Sequence, residues 1–585
     1  MYSPTIGRLL KKFQSSQTNV LIILSVLVGF GTALGAIGFI ALIKYFNHLF
    51  FGLTDQILTE AIGSEGFSIK YWFPVIPLLG GLLVGPIVYK YASEAKGHGV
   101  PEVMNAVARL GGIIRPRVAA AKTIASAICI GSGGSAGREG PIVQIGSAIG
   151  STIGQMFRMS GDRVRILVGC GAAAGISSVF NAPIAGVFFS LEIILGNYAI
   201  TTFSPVILSS VVASVVTRSV MGNHPAFDVP DYSLVSAWEI PLYVGMGIAL
   251  GAVGVLFTRT LALFEDWFDG LKIQPMLKPA LGGLLLGIIA IFYPQVLADG
   301  YETIKLTLYG QMAIWLLVIL IFMKLAATSL TLGSGNSGGI FAPSLFMGAV
   351  AGGAFGVLVH HLFPGATAAP GAYALVGMAG MVAATTHAPI TALLIIFEMT
   401  SDYRIILPLM VTVVFSALVA RRLFPYSIYT VKLIRRGIDI RGGKDINVLK
   451  AHKVSEIMDT DFQTISASTS LVRIFDIMEH SNESYYVVQD NLGHIKGVLS
   501  FQDIRSILSQ HSLDYLVIAQ DLVKEDTCVL DSDDDLEQAF NLFGVRDLKL
   551  IPVVNGRDQT RVIGVIRREA LIDYYNKRLL ETLRR

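Results

Sequence analysis

The stretch GSGGSAGREGP at residues 131–141 recurs, with changes, as GSGNSGGIFAP at residues 333–343. The two copies align at a constant offset of 202, and matching glycines continue beyond them. A second pair, NAPI at residues 181–184 and HAPI at residues 387–390, aligns at an offset of 206. A duplicated apolar chain with Gly and Pro breaks at matching positions is typical of membrane transporters built from two repeats, with a binding site at the breaks.

The composition places most of the chain in a membrane. Of its 585 residues, 53% are hydrophobic and 15% are charged, whereas a soluble domain carries about 25% charged residues. The deficit lies between residues 20 and 425, where several apolar runs reach the roughly 20 residues that span a bilayer and others are shorter and interrupted by glycine. We therefore expect an all-α polytopic membrane body over residues 20–425, with many short broken helices and with repeats at about 70–220 and 280–425.

The segments on either side of this body differ from it in composition. Residues 1–19 are predicted to form a short cytosolic N-terminal segment, and residues 426–450 a basic connector. Beyond the connector the charged fraction is ordinary, and the apolar pattern of residues 471–478 recurs 65 residues later, each time before two strand-like runs. This second duplication predicts a cytosolic α/β domain of two βαβ-like units, at residues 451–510 and at 511–585 with a C-terminal helix.

Basic residues flank the membrane body at both ends. Arg8, Lys11 and Lys12 precede the first apolar run, and Arg421 and Arg422 follow the last one. Positive flanks favour the cytosolic side, so we expect a multi-pass protein of the cell (inner) membrane with both termini cytosolic. The net charge of +3 indicates no nucleic-acid partner, and the three cysteines lack disulfide or metal-binding spacing, so no metal site is expected.

Glu139 stands out because it is an ionisable residue inside an apolar region. Placing such a side chain at bilayer depth costs about 2.5–3.5 kcal/mol, so it is rare there without a role. Its neighbours Gly137, Gly140 and Pro141 open a helix, whose backbone N–H groups and partial positive charge attract an anion. Glu139 can occupy this anion site itself and leave it when protonated. The alternative is that Glu139 only pairs with Arg138 or caps the helix.

Three motifs in this order resemble those of a known family. GHGVP at residues 97–101, GREGP at 137–141 and GIFAP at 339–343 are similar to the anion-coordinating signatures of the CLC family of chloride channels and chloride/proton exchangers. The two C-terminal units resemble the tandem CBS domains of many members. The resemblance implies a protein that is not an enzyme, that moves chloride and protons across a lipid membrane, that contains an inverted repeat, and that forms a homodimer with a separate pore in each subunit.

The resemblance also assigns roles to individual residues. Glu139 corresponds to the gating glutamate that carries the proton. The residues expected to bind chloride are His98, Ile340, Phe341 and Tyr429, with Tyr426 as the alternative tyrosine. The residues expected to support the site are Gly97, Gly99, Pro101, Lys122, Gly137, Arg138, Gly140, Pro141, Gly339 and Pro343.

Two positions depart from the family pattern. His98 stands where serine is usual, and because imidazole is larger than a hydroxyl group and can titrate, the anion preference and the pH response stay open. Ile193 stands where well-known exchangers carry a second, internal proton glutamate after the position of Glu192. Many channel members have an apolar residue there, and some exchangers also lack the glutamate. Ile193 therefore leaves both mechanisms open.

Three further ionisable residues lie in the apolar regions. Lys122 corresponds to a buried lysine of the family, which either raises the local potential for anions or snorkels to an interface. Glu192 and Glu398 end matched helices in the two repeats, and we expect them to form hydrogen bonds to neighbouring backbone groups.

In the cytosolic pair, Ser500 and Asp503 resemble the CBS residues that hold a nucleotide ribose. They predict at most one adenine-nucleotide site, with a solvated turn as the alternative, because Arg567 and Ala570 occupy the same positions in the second unit. No other cofactor is expected.

Several functions compete on this sequence. Transport of chloride or a similar small anion leads, with proton exchange favoured over passive conduction. A CBS-regulated divalent-cation transporter is disfavoured because a hard cation needs clustered carboxylates, and Glu139, Glu192 and Glu398 are spread out. A phosphate-using enzyme is disfavoured because residues 131–141 lack the Gly-Lys-Ser/Thr of a P-loop.

Overall fold

The structure, a computed structural model, falls into two compact units, one up to Ile438 and one from Asp439 onwards. It describes residues 17–52, 72–222, 229–230, 232, 234–400, 402–438, 449, 452–481, 483–504, 517–523, 528–546, 548–556 and 558–584. The predicted N-terminal segment therefore lies almost entirely outside the described residues, as do most of the connector after residue 438 and the end of the first CBS unit after residue 504.

The first half of the membrane body is a set of helices of uneven length. They are α1 Gln17–Asn47, α2 Val75–Pro86, α3 Val100–Arg109, α4 Pro116–Gly131, α5 Glu139–Met156, α6 Gly161–Phe180, α7 Pro183–Phe189 and α8 Ile200–Met221. Single turns of π-helix extend α1, α2 and α7, at His48–Gly52, Ile87–Tyr91 and Ser190–Leu195.

The second half repeats the same order. Its helices are α9 Glu239–Gly270, α10 Lys278–Phe292, α11 Tyr301–Leu308, α12 Ile314–Gly333, α13 Phe341–Leu362, α14 Pro370–Thr386, α15 Pro389–Thr400 and α16 Ile406–Leu423. A short helix, α17 Thr430–Arg435, follows. Each helix of the first half has its counterpart eight helices later, and the short helices α3 and α11 occupy the same place in both halves. The long helices α1 and α9 pack in the same way, α1 against α6 and α8, and α9 against α14 and α16. This packing extends each matched unit beyond the ranges 70–220 and 280–425.

A local two-fold axis relates the two halves. The N–H group of Gly137 donates to the carbonyl oxygen of Gly339 at 2.8 Å, and the N–H group of Gly339 donates back to Gly137 at 2.6 Å. The two residues are equivalent by the offset of 202, and they pair antiparallel. A reciprocal antiparallel bond between equivalent residues requires the two chain segments to run in opposite directions about an axis that passes between them.

Glycines allow the two halves to touch backbone to backbone. A side chain at Gly81 of α2 would overlap the carbonyl oxygen of Pro279 in α10. In the equivalent contact, a side chain at Gly283 would overlap the carbonyl oxygen of Pro77. The close approach of α2 and α10 therefore depends on the same glycine in both repeats.

The helices are apolar enough to make this unit an integral, multi-pass membrane protein. Within the described residues, 8 helices have the length and hydropathy needed to cross a membrane. Large apolar side chains are exposed on several of them, including Leu34 on α1, Val215 on α8, Leu263 on α9 and Leu418 on α16. Exposed apolar side chains of this kind are expected where lipid replaces water.

The second unit is an α/β pair. Its strands are β1 Thr464–Ser466, β2 Tyr485–Gln489, β3 Ile495–Ser500, β4 Leu530–Asp531, β5 Leu550–Asn555 and β6 Asp558–Arg567. Its helices are α18 Leu471–Glu479, α19 Phe501–Ile504, α20 Ala519–Leu522, α21 Leu536–Arg546 and α22 Arg568–Arg584. Each copy forms a three-stranded sheet with one parallel and one antiparallel pair, in the orders β1-β2-β3 and β4-β5-β6.

The two copies share a third apolar cluster in addition to their own cores. Val487 of β2 and Leu550 of β5 meet Val562 and Val565 of β6 in this cluster. Asp459, ahead of β1, exchanges backbone hydrogen bonds with Val565 at 2.8 and 2.9 Å. The predicted α/β fold with a duplicated unit is confirmed.

Candidate functional site

The three glycine-rich signatures, far apart in sequence, meet at one place. The N–H group of Gly97 donates to Asn336 O at 3.0 Å, and the N–H group of Gly338 donates to Gly97 O at 3.3 Å. The reciprocal bonds between Gly137 and Gly339 join the other two signatures at the same point. Residues 97–101, 137–141 and 339–343 therefore form one backbone cluster.

Three helices begin at this cluster. They are α3 at Val100, α5 at Glu139 and α13 at Phe341. A side chain at Gly140 would overlap the carbonyl oxygen of His98, so the start of α5 lies directly against the loop that precedes α3. Helix starts present unpaired N–H groups and partial positive charge, and three of them together favour an anion.

Lys122 stabilises the loop in front of α3. Its side chain is fully buried, and its Nζ donates to Ala95 O at 3.1 Å and to Gly97 O at 2.6 Å. The alternative that Lys122 snorkels to an interface is therefore wrong, because the ammonium group is held inside the protein by backbone carbonyls.

Lys324 is the counterpart of Lys122 at the offset of 202, and the sequence analysis missed it. It is also fully buried, and its Nζ donates to Val296 O at 3.0 Å and to Ala298 O at 2.9 Å. Each repeat thus has a buried lysine that fixes the loop before its third helix.

His98 lies inside the cluster. The residue is 1% exposed, and its Nδ1 has no hydrogen-bond partner among the residues that the structure describes. Its ring centroid lies 5.8 Å from that of Tyr429. A buried imidazole nitrogen without a partner is costly unless a ligand or water satisfies it.

Tyr429 precedes α17 and is 2% exposed. The next residue towards the N-terminus, Ile428, donates its N–H group to Thr385 O at 2.9 Å, which attaches this segment to the end of α14. Tyr426 instead packs edge-on against Phe424, with ring centroids 5.6 Å apart. This geometry favours Tyr429 over Tyr426, since Tyr429 faces His98.

An ion-pair cluster connects α17 to α3. Glu102, in the first turn of α3, pairs with Arg436 at 2.7 Å and with Lys432 at 3.6 Å. The Nζ atom of Lys432 also donates to Lys96 O at 3.3 Å. These contacts keep Tyr429, at the start of α17, in a fixed position relative to the α3 signature.

The signature at residues 339–343 contributes two buried residues at the start of α13. Ile340 is 1% exposed and Phe341 is 2% exposed. The Phe341 ring packs against Phe180 at a centroid distance of 5.4 Å. The apolar contacts hold the helix start in place, where the first N–H groups have no acceptor within the helix itself.

Glu139 is 1% exposed and begins α5. Its Oε1 accepts a hydrogen bond from the Tyr301 hydroxyl at 3.2 Å, and its Oε2 has no hydrogen-bond partner in the described part of the chain. A side chain at Gly137 would overlap Oε2, so the carboxylate folds back over its own signature loop. Arg138, the alternative partner of Glu139, interacts with it electrostatically and stacks its guanidinium group 5.1 Å from the centroid of the Tyr301 ring.

A cavity of about 430 Å³ adjoins Arg138. Its charged lining includes Lys44, Arg138 and Asp299, together with the titratable His48. The two cations outnumber the single carboxylate, which gives the cavity a positive bias suited to an entering anion.

Glu192 and Glu398 form hydrogen bonds to backbone, as predicted, but each to the opposite repeat. Glu192 accepts from the N–H groups of Ile390 and Thr391 at 3.3 and 2.8 Å. Glu398 accepts from the N–H groups of Ile184 and Ala185 at 3.0 and 2.6 Å. Each carboxylate caps the matched helix of the other half.

Ile193 lies beside Glu192 in the π-helical turn Ser190–Leu195 and is 8% exposed. Its apolar side chain cannot carry a proton. Among the described residues, no group of three or more His, Cys, Asp or Glu side chains could hold a metal ion.

In the α/β unit, Ser500 and Asp503 form one tight turn. Asp503 Oδ2 accepts from the Ser500 hydroxyl at 2.6 Å and from the Ser500 N–H group at 2.9 Å. In the second copy, Arg567 pairs instead with Asp459 at 2.7 Å and with Glu483 at 3.0 Å. The two equivalent turns therefore differ in charge and in partners.

Fold and site together define a polytopic membrane protein of two matched helical repeats, which meet at a buried glutamate and are followed by an α/β pair. The family described as "Voltage gated chloride channel" matches residues 80–421, and the CBS domain matches residues 454–510 and 519–577. The chain belongs to this family of chloride channels and exchangers, the CLC family, and carries tandem CBS domains.

Several relatives support this assignment. A ClcB-like protein of Ralstonia nicotianae is 35% identical over 419 residues, which cover 71% of this chain and 96% of the relative. The H(+)/Cl(-) exchange transporter ClcA of Vibrio campbellii is 33% identical and covers 69% and 87%. The crystal structure of a slow cyanobacterial Cl-/H+ antiporter has a TM-score of 0.65 at 29% identity and covers 71% of this chain and 97% of the antiporter.

The burial of Tyr429 beside His98 generates a prediction for anion binding. A hydrogen bond to a charged group contributes roughly 1.5–3 kcal/mol, so Tyr429→Ala should weaken chloride binding by about ten- to a hundredfold. Isothermal titration calorimetry measures the affinity, and Tyr426→Ala is the matched control. Parent-like binding in Tyr429→Ala together with a loss in Tyr426→Ala would identify Tyr426 as the ligand.

The unpartnered nitrogen of His98 generates a second prediction. His98→Ser replaces a large, titratable group with a small hydroxyl, so the flux ratios among chloride, nitrate and bromide should change, or their pH profile should flatten. Anion efflux from liposomes at two pH values measures both, with His360→Ser on α13 as the control. Ratios and profiles identical to the parent would show that His98 does not face the anion.

Proposed function

We propose that this protein transports chloride across the membrane in exchange for protons, with Glu139 as the gate that carries the proton. The observation that carries the proposal is the position of Glu139. Its carboxylate is buried where three helix starts converge, and within the described residues one of its oxygens has no hydrogen-bond partner. The helix starts stabilise this side chain when its carboxylate is charged, and they stabilise it much less when it is neutral.

The exchange follows from competition for one positively biased location. When Glu139 is charged, its carboxylate takes the place of an anion at the helix starts and blocks the path. When Glu139 binds a proton, this attraction is lost and the side chain leaves, so chloride can enter. One proton taken up therefore accompanies a change in anion occupancy, which is the basis of coupled exchange.

The chloride ligands in this proposal are His98, Tyr429, and the backbone N–H groups of Ile340 and Phe341. The burial of all four residues supports their assignment, as does the contact between the His98 and Tyr429 rings. The relatives named above as an H(+)/Cl(-) exchange transporter and a Cl-/H+ antiporter support both the choice of chloride and the exchange.

One observation favours a passive chloride channel as the second candidate. Ile193 occupies the position of the internal proton glutamate and is buried and apolar. A proton that reaches Glu139 from the cytosolic side must then use another path. The two candidates differ in one measurable quantity, the proton movement that accompanies a chloride gradient.

Further proposals concern assembly, location and regulation. We expect a homodimer in the cell (inner) membrane with both termini cytosolic, and a protein that catalyses no chemical reaction. The CBS pair is proposed to regulate transport and to bind one adenine nucleotide at the turn of Ser500 and Asp503. Both bonds within that turn use Asp503 Oδ2, which leaves Oδ1 outside them for a ribose hydroxyl. The paired Arg567 argues against a second site.

The proposal predicts that Glu139→Gln abolishes proton coupling and keeps chloride flux, because a neutral amide neither shuttles protons nor competes as an anion. Purified protein in liposomes with an outward chloride gradient reports proton pumping and chloride efflux separately. The control is Glu302→Gln, which changes a carboxylate in the first turn of α11. Persistent chloride-driven proton pumping in Glu139→Gln would falsify the gate assignment, and absence of pumping in the parent protein would favour the channel.

The nucleotide proposal predicts that Asp503→Ala weakens ATP or ADP binding by about tenfold or more, since a charge-assisted hydrogen bond to the ribose is lost. Fluorescence anisotropy with a labelled adenine nucleotide measures the affinity of the full-length protein. The control is Asp573→Ala, at an exposed position on α22. Unchanged affinity in Asp503→Ala, or no binding by the parent, contradicts the proposal.

A further inference from the structure

We propose that Tyr301 is a positioning residue that holds the charged Glu139 carboxylate in the blocking position and sets the pH at which the gate opens. This inference rests on the proposed function of Glu139. Its basis is the hydrogen bond from the Tyr301 hydroxyl to Glu139 Oε1, at 3.2 Å. The hydrogen bond links the two repeats, because Tyr301 belongs to the second repeat and Glu139 to the first.

The position of Tyr301 follows from the repeat. At the offset of 202, Asp299, Gly300 and Tyr301 correspond to Gly97, His98 and Gly99. The first repeat therefore presents a glycine loop and a histidine to the site, whereas the second repeat presents a tyrosine at the start of α11. The two halves of the site differ in chemistry although their backbones match.

The loop that carries Tyr301 is rigidly held. Lys324 Nζ bonds the carbonyl oxygens of Val296 and Ala298, just ahead of the loop, and lies 4.9 Å from the centroid of the Phe346 ring. Gly300 has φ of 77°, and a side chain there would meet the Phe346 ring. Tyr301 therefore has little freedom to follow Glu139 if the carboxylate moves away.

Charged groups from three segments surround the pair, and the titratable Tyr429, at the start of α17, also interacts electrostatically with Glu139. Arg138, on the same segment as Glu139, stacks over the Tyr301 ring at 5.1 Å. Asp299 lies two residues before Tyr301 on its own loop, and Lys324 of α12 lies behind that loop. Arg138 also forms a side-chain hydrogen bond with Tyr301, so it holds the ring and the hydroxyl group within reach of Glu139.

The bond distinguishes the two states of the gate. A hydroxyl donor stabilises a charged carboxylate more than a neutral acid, since charge-assisted hydrogen bonds are the stronger ones. Tyr301 thus favours the charged, blocking state and delays proton uptake to lower pH. Once Glu139 is protonated, the bond weakens and the side chain can leave the fixed loop.

The test is Tyr301→Phe, which removes the hydroxyl and keeps the ring under Arg138. Without the donor, Glu139 should take up its proton more readily, so the pH of half-maximal chloride efflux should rise by about one unit, a tenfold change in proton affinity. Efflux from liposomes between pH 4 and pH 8 gives the profile. A profile identical to the parent overturns the proposal.

Two further variants separate this role from simple packing. Tyr373→Phe is the matched control, because Tyr373 is buried in the same repeat and its hydroxyl has no hydrogen-bond partner in the part of the chain that is described. Its profile should match the parent. In a Glu139→Gln background, Tyr301→Phe should change flux less than twofold, since no charged carboxylate remains to be held. A larger change there means that Tyr301 acts through packing and overturns the proposal.

The same liposomes separate failure of this inference from failure of the proposed function. Proton pumping by the parent tests exchange, whereas the shift of the efflux profile in Tyr301→Phe tests the contact. A parent that conducts chloride without pumping protons, but whose profile still shifts in Tyr301→Phe, retains the positioning role and loses only the exchange.

Discussion

The pair of hydrogen bonds between Gly137 and Gly339 is the contact on which the rest of the membrane body depends. It lies on the local two-fold axis, so it fixes both repeats at the point where their signature loops cross. Because it uses backbone atoms alone, it leaves the side chains of Glu139 and Phe341 free to differ. A symmetric backbone therefore carries an asymmetric site, in which Glu139 can titrate and its counterpart Phe341 cannot.

The duplication was visible in the sequence because the backbone geometry demands glycine and proline at equivalent positions in both halves. The matching of residues 131–141 and 333–343 predicted the repeat, and the resemblance brought His98 and Tyr429 together before any contact was known. The extra long helices α1 and α9 were not recognised as part of the repeat, since lipid-facing helices need only be apolar and keep little identity.

The contacts across the two-fold axis were the least predictable part of the site. Tyr301 aligns with Gly99, which has no side chain, so comparison of the two repeats gave no signal for a functional residue at this position. Lys324 could have been found, because it aligns with Lys122 at the offset of 202. A single lysine in an apolar run, however, indicates neither that the side chain is buried nor which groups it contacts. Glu192 and Glu398 were expected to form hydrogen bonds to neighbouring backbone groups, and their partners lie in the other repeat because the axis brings the matched helix ends together.

This exchange of caps has a consequence for biosynthesis. The first two N–H groups of α7 after its proline are satisfied by Glu398, which is 214 residues later than Ile184. At about 5–20 residues per second, a ribosome needs roughly 10–40 seconds to deliver that carboxylate. During this time the start of α7 lacks the Glu398 carboxylate that caps it in the complete protein. The insertion machinery must therefore accommodate an incomplete repeat until its counterpart has been translated.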